Sequence, residues 1–262
     1  MPMLGRRRAE AEALEPTGQL RIRAERLGKR PVVVDAYRTA PFHLGLPSDR
    51  AGDGSVELIV QGVGPGYLPG DRLEIDVAVG DSASLTLRGQ GATRVYPSPR
   101  GNPAAVDVRL SVGAGGRLVY LPGELIPFRQ SVLGQVTRVD VAEGGSLALG
   151  EILTPGRVAM GEVHQFTRLH LAVEARYGGR PCLIERARLE PDRRPLPSIG
   201  RHGDDPIASA LYLIGEGWSL PESPRVHESV TWAAATGEGY TLVRLLGPTV
   251  QAVSAAMRAL LP

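Results

Sequence analysis

The chain has 262 residues, 42% of them hydrophobic, enough to bury one large core, and its 30 basic and 28 acidic side chains leave a formal charge of only +2. No long basic run appears beyond Arg6, Arg7 and Arg8, so nucleic acid is not the expected partner. Cys182 is the one cysteine, which excludes an intramolecular disulfide, a multi-cysteine zinc site and an iron–sulfur cluster bound by this chain alone.

The first residues mix Arg, Glu and Ala without strong apolar periodicity, and residues 1–31 read as a flexible N-terminal arm ahead of a single β-rich domain over 32–262. Acidic, alanine-rich residues follow the terminal arginines where a secretory signal needs an apolar stretch. No apolar run approaches membrane-spanning length. A cytoplasmic protein with no membrane partner is therefore expected. From Val32 onward the dominant signal is alternation at period two: Val56, Leu58 and Val60; Leu73, Ile75, Val77 and Val79; Val106, Val108, Leu110 and Val112. Glu74, Asp76, Asp107 and Arg109 take the intervening positions. This is the pattern of strands with one buried and one wet face. Leu169, Leu171 and Val173, alternating with His170 and Glu174, continue it, as does the segment Tyr240 to Leu246.

Strand, glycine turn and second strand recur in three blocks: Ile75 to Leu87 around Gly80-Asp81, Val108 to Leu121 around Gly113 to Gly116, and Val139 to Leu149 around Gly144-Gly145. Their starts lie about thirty residues apart, a period at which repeats imply stacked or solenoid-like architecture. The other arrangement open to the same pattern is an antiparallel meander, whose hairpins resemble one another for local reasons. Glycine at each turn fits a backbone needing positive φ.

Helices are few. Asp205-Pro206 opens a stretch from Ile207 to Ile214 read as two helical turns ended by Gly215. A clearer helix runs from Pro248 to Leu261, with Val250, Val253, Met257, Leu260 and Leu261 on one stripe that should dock on the sheet. Between Glu190 and Asp205, Pro191, Pro195, Pro197, Gly200 and Gly203 mark a long loop. The expected fold class is mainly β, a β-helix-like scaffold of stacked strands with about two short helices, the last one C-terminal.

The strong catalytic motifs are missing: no phosphate-binding loop, no dinucleotide fingerprint around Gly62, Gly64 and Gly66, no nucleophile elbow and no His-Glu-x-x-His zinc motif. The five histidines are scattered, and His164 and His170 stand too far apart for one metal if their segment is extended. One acidic pattern remains. Gly-Asp or Gly-Glu pairs recur at Gly70-Asp71, Gly123-Glu124, Gly150-Glu151 and Gly161-Glu162, each beside a strand. Stacked blocks would align some of these carboxylates along one edge or channel, where oxygen ligands hold a divalent ion only transiently. The alternative makes them ordinary turn residues in solvent. An enzymatic reading takes the chain as a solenoid-type carbohydrate hydrolase or lyase with a carboxylate pair such as Glu124 and Glu151. An aromatic content of 5% argues against it, since sugar grooves want aromatic platforms.

The segment Gly89-Gln90-Gly91-Ala92-Thr93-Arg94-Val95-Tyr96 resembles the signature of the UreD (UreH) urease accessory proteins. Further matches follow in family order: Pro69-Gly70-Asp71; Tyr120-Leu121-Pro122 with Glu124, Ile126 and Phe128; Gly156-Arg157-Val158-Ala159-Met160-Gly161-Glu162; and Val243 to Pro248 leading into a helix. The chain departs from the pattern at Gly64-Pro65-Gly66-Tyr67-Leu68, where the family has two adjacent glycines and a spacer, and at Arg94, where lysine is common. The resemblance implies a β-helix-like scaffold without catalytic residues. It implies a chaperone in nitrogen metabolism that binds apo-urease with the helical partner UreF and the GTPase UreG, with dimer formation through the UreF complex. It also implies assistance to nickel insertion, with nickel passing transiently along acidic residues and no tightly bound cofactor. By motif position the route falls to Asp71 and Glu162, with Glu124 and Glu151 behind them. Gly70, Thr93, Arg94, Tyr96, Pro122, Gly156, Arg157 and Gly161 carry the signature as structural or interaction residues.

Overall fold

Alternating aliphatic residues need a second apolar face to bury against, and in this chain two sheets supply that face to each other. The computed structural model describes residues 15–49, 54–194, 207–220 and 228–261. In chain order they form β1 (Gly18–Leu27), β2 (Arg30–Arg38), β3 (Phe42–Leu44), β4 (Val56–Gly62), β5 (Arg72–Val79), β6 (Ser84–Gly89), β7 (Thr93–Val95), β8 (Ala104–Val112) and β9 (Arg117–Leu121). Then come β10 (Glu124–Pro127), β11 (Val132–Val141), β12 (Ser146–Leu153), β13 (Arg168–Tyr177), β14 (Arg180–Leu189), β15 (Ile207–Gly215), β16 (Thr231–Gly237), β17 (Tyr240–Gly247) and a helix α1 (Val250–Ala259). The first sheet runs β14-β13-β11-β8-β5-β1-β2; the second runs β16-β17-β15-β12-β9-β6-β4-β3, with β7 and β10 as a side branch against β12.

The three sequence blocks are the coils of a solenoid, which decides against the meander. A meander would pair β5 with β6; instead each block crosses from the first sheet to the second and pairs in parallel with its equivalents. Ile75 lies opposite Val108, which lies opposite Thr137, and Leu85 lies opposite Leu118, which lies opposite Leu147. The turns stack as well. Ala83, Gly116 and Gly145 close them by donating backbone N–H to Gly80, Gly113 and Ala142. Positive φ falls on the third turn residue, Ser82 (54°), Gly115 (63°) and Gly144 (75°). The glycine after it answers a different demand: a Cβ on Gly116 would sit 2.8 Å from the Gly80 carbonyl oxygen, and one on Gly145 2.7 Å from that of Gly113. The spacing between coils leaves no room there for a side chain.

The parallel run ends in antiparallel pairs: β1 with β2, β13 with β14, and β12 with β15 followed by β17 and β16. Two expectations need correction. The arm does not extend to residue 31, because Gly18–Leu27 is β1, parallel to β5, with Leu20, Ile22 and Ala24 almost wholly buried. Arg21, Arg23 and Glu25 between them hold the apolar content low although the period is right. Residues 1–14 lie outside the described residues. Ile207 to Gly215 is a strand rather than a helix: Ala210, Tyr212 and Ile214 face the inter-sheet core, while Leu211 and Leu213 face a second core under α1. Burial on both faces gives a continuous apolar run with no period to separate strand from helix. Of the long loop after Glu190, residues 195–206 lie outside the described residues.

Helix α1 starts at an N-cap, where Thr249 Oγ1 accepts from Ala252 N at 3.2 Å. Val253, Ala256, Met257 and Leu260 are buried on β12, β15 and β17, the docking that the stripe predicts. Gly150, inside β12, makes the seat, since a Cβ there would lie 2.6 Å from Leu121 Cδ2 and closer still to Met257 Sδ. Among the described residues, no helix is long and apolar enough to cross a membrane.

Candidate functional site: a polar cavity between the sheets

Inward positions of the early coils are aliphatic, such as Ile75 and Val77 on β5 and Leu85 and Leu87 on β6. In the later coils the inward row turns polar, at Gln135 of β11, Glu151 of β12, Glu185 of β14, Tyr212 of β15 and Arg244 of β17. These side chains, with Glu124 at the start of β10, line a cavity of about 450 Å³ between the sheets. Tyr67, Thr93 and Pro122 line it near the side branch, and Leu189, Ala208 and Leu246 also belong to the lining.

Side-chain contacts cross the cavity between the sheets. Gln135 Nε2 donates to Glu151 Oε1 at 2.9 Å. Arg244 pairs with Glu185, tying β17 to β14. The Tyr212 phenol hydrogen-bonds Glu185, and Ser209 Oγ, also on the lining, is buried with no hydrogen-bond partner. Burial, then the neighbouring Glu185 charge, pushes the Glu151 carboxyl up to about 7; Arg244 and the Gln135 hydrogen bond oppose the rise. Tyr67 is pushed up to about 12, chiefly by burial. Tyr120 and Tyr212 are raised further, by burial and by charges that include Glu151. The cavity thus holds neutral phenols, the Glu185 carboxylate paired with Arg244, the Glu151 carboxyl poised near neutrality, and Glu124 at the start of β10.

The four sequence-derived acids divide two and two, in the reverse of the expected order. Glu124 and Glu151 line the cavity, and Glu151 lies inside β12 instead of in a turn. Asp71 is not in the lining: its Oδ2 accepts from Leu68 N at 2.7 Å and closes a turn, in which Gly70 takes φ 87°. Glu162 is also elsewhere, buried in a bidentate pair with Arg157 at 2.8 and 2.5 Å and accepting from Arg129 N at 3.2 Å. The hydrogen bond from Arg157 is the main cause of its lowered pKa. A carboxylate satisfied by three donors is a framework group, and it locks the loop that Gly156 and Gly161 shape.

The signature residues fall at one set of corners. Arg157 stacks over the Phe128 ring, 4.1 Å from its centroid, and Phe128 meets Tyr96 at 5.0 Å. Thr93 lines the cavity and hydrogen-bonds Tyr67; the exposed Arg94 receives Tyr67 N on its carbonyl. Glu185 and Arg244 escaped sequence reasoning, although each interrupts an apolar alternation: Leu183, Glu185, Ala187 and Leu189, and Leu242, Arg244 and Leu246. A charge on the buried parity of a strand was the available signal. Among the described residues, no group of three or more His, Cys, Asp or Glu side chains is placed to hold a metal ion. The lining offers three carboxyl groups, Glu124, Glu151 and Glu185, the last two close enough to interact.

The model of the UreD urease accessory protein family matches residues 16–262. A urease accessory protein UreD from Cupriavidus necator is 33% identical over 250 residues, covering 91% of this chain and 85% of its own length. One from Actinomyces naeslundii is 29% identical, covering 93% of this chain and 92% of its own length. A third, from Kocuria rhizophila, is 37% identical over 238 residues, covering 88% of this chain and 60% of its own. With the match running from β1 through α1, the chain belongs to the UreD family of urease accessory proteins.

Proposed function

We propose that this protein is a non-catalytic maturation factor that binds apo-urease together with UreF and UreG in the cytoplasm and lets nickel cross its interior on the way to the urease active site. Nickel is cargo here, and no cofactor is held tightly. The observation that carries the reading is the row of Glu124, Glu151 and Glu185 along one cavity between the sheets. A dication in a low-dielectric passage needs negative oxygen at intervals, while a tight site would collect imidazole or thiolate and retain the metal. Asp71 stands beside the Tyr67 end of the cavity, where its charge helps to raise the phenol's pKa; its part in the route is an approach to that end. Glu162 belongs to the framework.

The test is reconstitution with wild-type protein and the variants Glu124→Gln and Glu151→Gln, reading co-purification with UreF and apo-urease and the nickel content of the urease. Normal assembly with low nickel supports the conduit. Normal nickel in both variants rejects it. Turnover of an ester, glycoside or nucleotide by the pure protein, abolished by a point change, would reject the non-catalytic reading.

A further inference from the structure

Three corner loops stack beside the side branch of the second sheet: residues 94–103, 127–131 and 154–168. Backbone bonds join them, Ser98 N to Gln130 O, Gln130 N to Gln165 O and Thr167 N to Ser131 O, each at 2.9 Å. Thr154 anchors the third loop to Leu125 of the cavity lining through its N–H and its hydroxyl, at 3.0 and 3.1 Å.

The third loop exposes apolar side chains. Val158, Met160 and Val163 are 53%, 69% and 45% exposed, within six residues of one another. They do not sit on a loose segment. The buried Glu162 fixes the loop through Arg157 and the Arg129 amide, and the Arg157 guanidinium lies flat on Phe128. A Cβ on Gly156 would lie 2.6 Å from the Glu162 carbonyl oxygen, so the chain is packed tightly beneath the exposed tip. A rigid loop that shows its apolar residues to water loses little entropy on docking, whereas a solvent-adapted loop would carry polar residues there.

The charge around the tip is one-sided. The three loops contain Arg94, Arg100, Arg129, Arg157 and Arg168 against the single carboxylate of Glu162, and that carboxylate is consumed by Arg157. Arg94, Arg100 and Arg129 are exposed.

We infer that this ridge is a docking surface for a partner protein that offers an apolar pocket rimmed by carboxylates, with Met160 as the anchor and Arg94, Arg100 and Arg129 as the steering charges. An unbranched thioether fits an irregular pocket, and the arginines raise the encounter rate and fix orientation. The inference deepens the maturation reading by naming a face of the scaffold and the chemistry that meets it, and it rests on that reading for the partners used in its test.

The experiment compares full-length wild type with Met160→Glu, Met160→Leu and Arg100→Glu in binding to purified apo-urease and, separately, to purified UreF, at low and high salt, with thermal unfolding as a control. Both changed side chains are exposed, so the melting temperature should not move. Met160→Glu should weaken binding to one of the two partners about tenfold or more, Met160→Leu should restore it, and Arg100→Glu should lower affinity at low salt and flatten its salt dependence. Unchanged binding by folded Met160→Glu or by Arg100→Glu, with wild type binding normally, would overturn the ridge and leave the maturation reading standing. Wild type that binds neither partner would overturn both. A wild-type dimer made monomeric by Met160→Glu, with partner binding intact, would show the tip to be a self-association site and overturn the inference.

Discussion

Gln135 and Glu151 face each other from opposite sheets, joined by a 2.9 Å hydrogen bond across the cavity. One residue comes from β11 and the other from β12, at either end of a single coil, so a short turn places an amide donor on a carboxyl whose pKa burial and Glu185 raise to about 7. The groups around it are Glu185, Arg244, Tyr120 and Tyr212.

That raised value sets a pH dependence. The folded protein holds the Glu151 proton up to about 7, while the unfolded chain releases it near 4.5. The stability contribution is therefore fully present below the unfolded value and is lost as pH rises through 7. Glu151→Gln, isosteric and always neutral, should gain on wild type by an amount on the order of 1–3 kcal/mol at pH 8, with the difference vanishing near pH 4. Urea unfolding at the two pH values measures this. An equal difference at both would place the effect in packing. A dication has to compete with the same proton, so nickel transfer by wild type should rise between pH 6 and pH 8, and Glu151→Gln should lose that rise.

Glu162→Ala should behave as a framework lesion. It removes both Arg157 contacts and the acceptor for Arg129 N, so the melting temperature should fall by several degrees, and Arg157→Ala should fall with it. Because the pair acts as a unit, the double variant should cost much less than the sum of the singles. The Glu162 pKa is lowered, so its contribution is present above the ordinary carboxylate value and lost as pH falls through the folded one. Normal stability of Glu162→Ala with failed nickel transfer would return this residue to the route.

The contact of Gly150 with Met257 predicts a compensating pair. Gly150→Ala puts a methyl into space held by Met257 and Leu121, and should destabilise by about 1–3 kcal/mol through overpacking. Shortening Met257 to Ala in the same chain should recover part of that loss, which denaturant titration of the two singles and the double would show.

A methyl at Gly145 has no such relief. Its neighbour is the Gly113 carbonyl at 2.7 Å, a backbone atom fixed by the stack. Gly145→Ala should give insoluble or strongly destabilised protein. Gly178→Ala, at a turn with open space and φ 55°, should cost only the strain of a left-handed alanine, about 1–2 kcal/mol. Soluble yield and melting temperature compare the two.

Much of the architecture was legible because it rests on local chemistry repeated in register. The period-two rows of β5, β8 and β11, the glycine turns after them and the stripe of α1 can each be read from a few neighbouring residues, and a thirty-residue recurrence then gives stacked coils. The same reading located Glu124 and Glu151, because each follows a glycine at a block boundary. The family resemblance ranked them behind Asp71 and Glu162 by motif position, which says nothing about where a carboxylate points once the chain has turned.

Tertiary structure alone decided the rest. Whether β5 pairs with β6 or with β8 depends on the free energy of stacking whole coils, and no four-residue turn encodes it. Ile207 to Gly215 is apolar all round because one face meets the inter-sheet core and the other meets α1, so the period that distinguishes strand from helix is absent. Gly18–Leu27 carries the right period with Arg21, Arg23, Glu25 and Arg26 among its ten residues, and only its parallel partner β5 makes the alternation count. The cavity itself depends on Glu185 and Arg244, 59 residues apart in sequence. Each reads alone as a stray charge in its strand; only the closing of β14 against β17 brings the half-exposed Arg244 onto the more deeply placed Glu185 carboxylate, which would cost free energy if left without a partner.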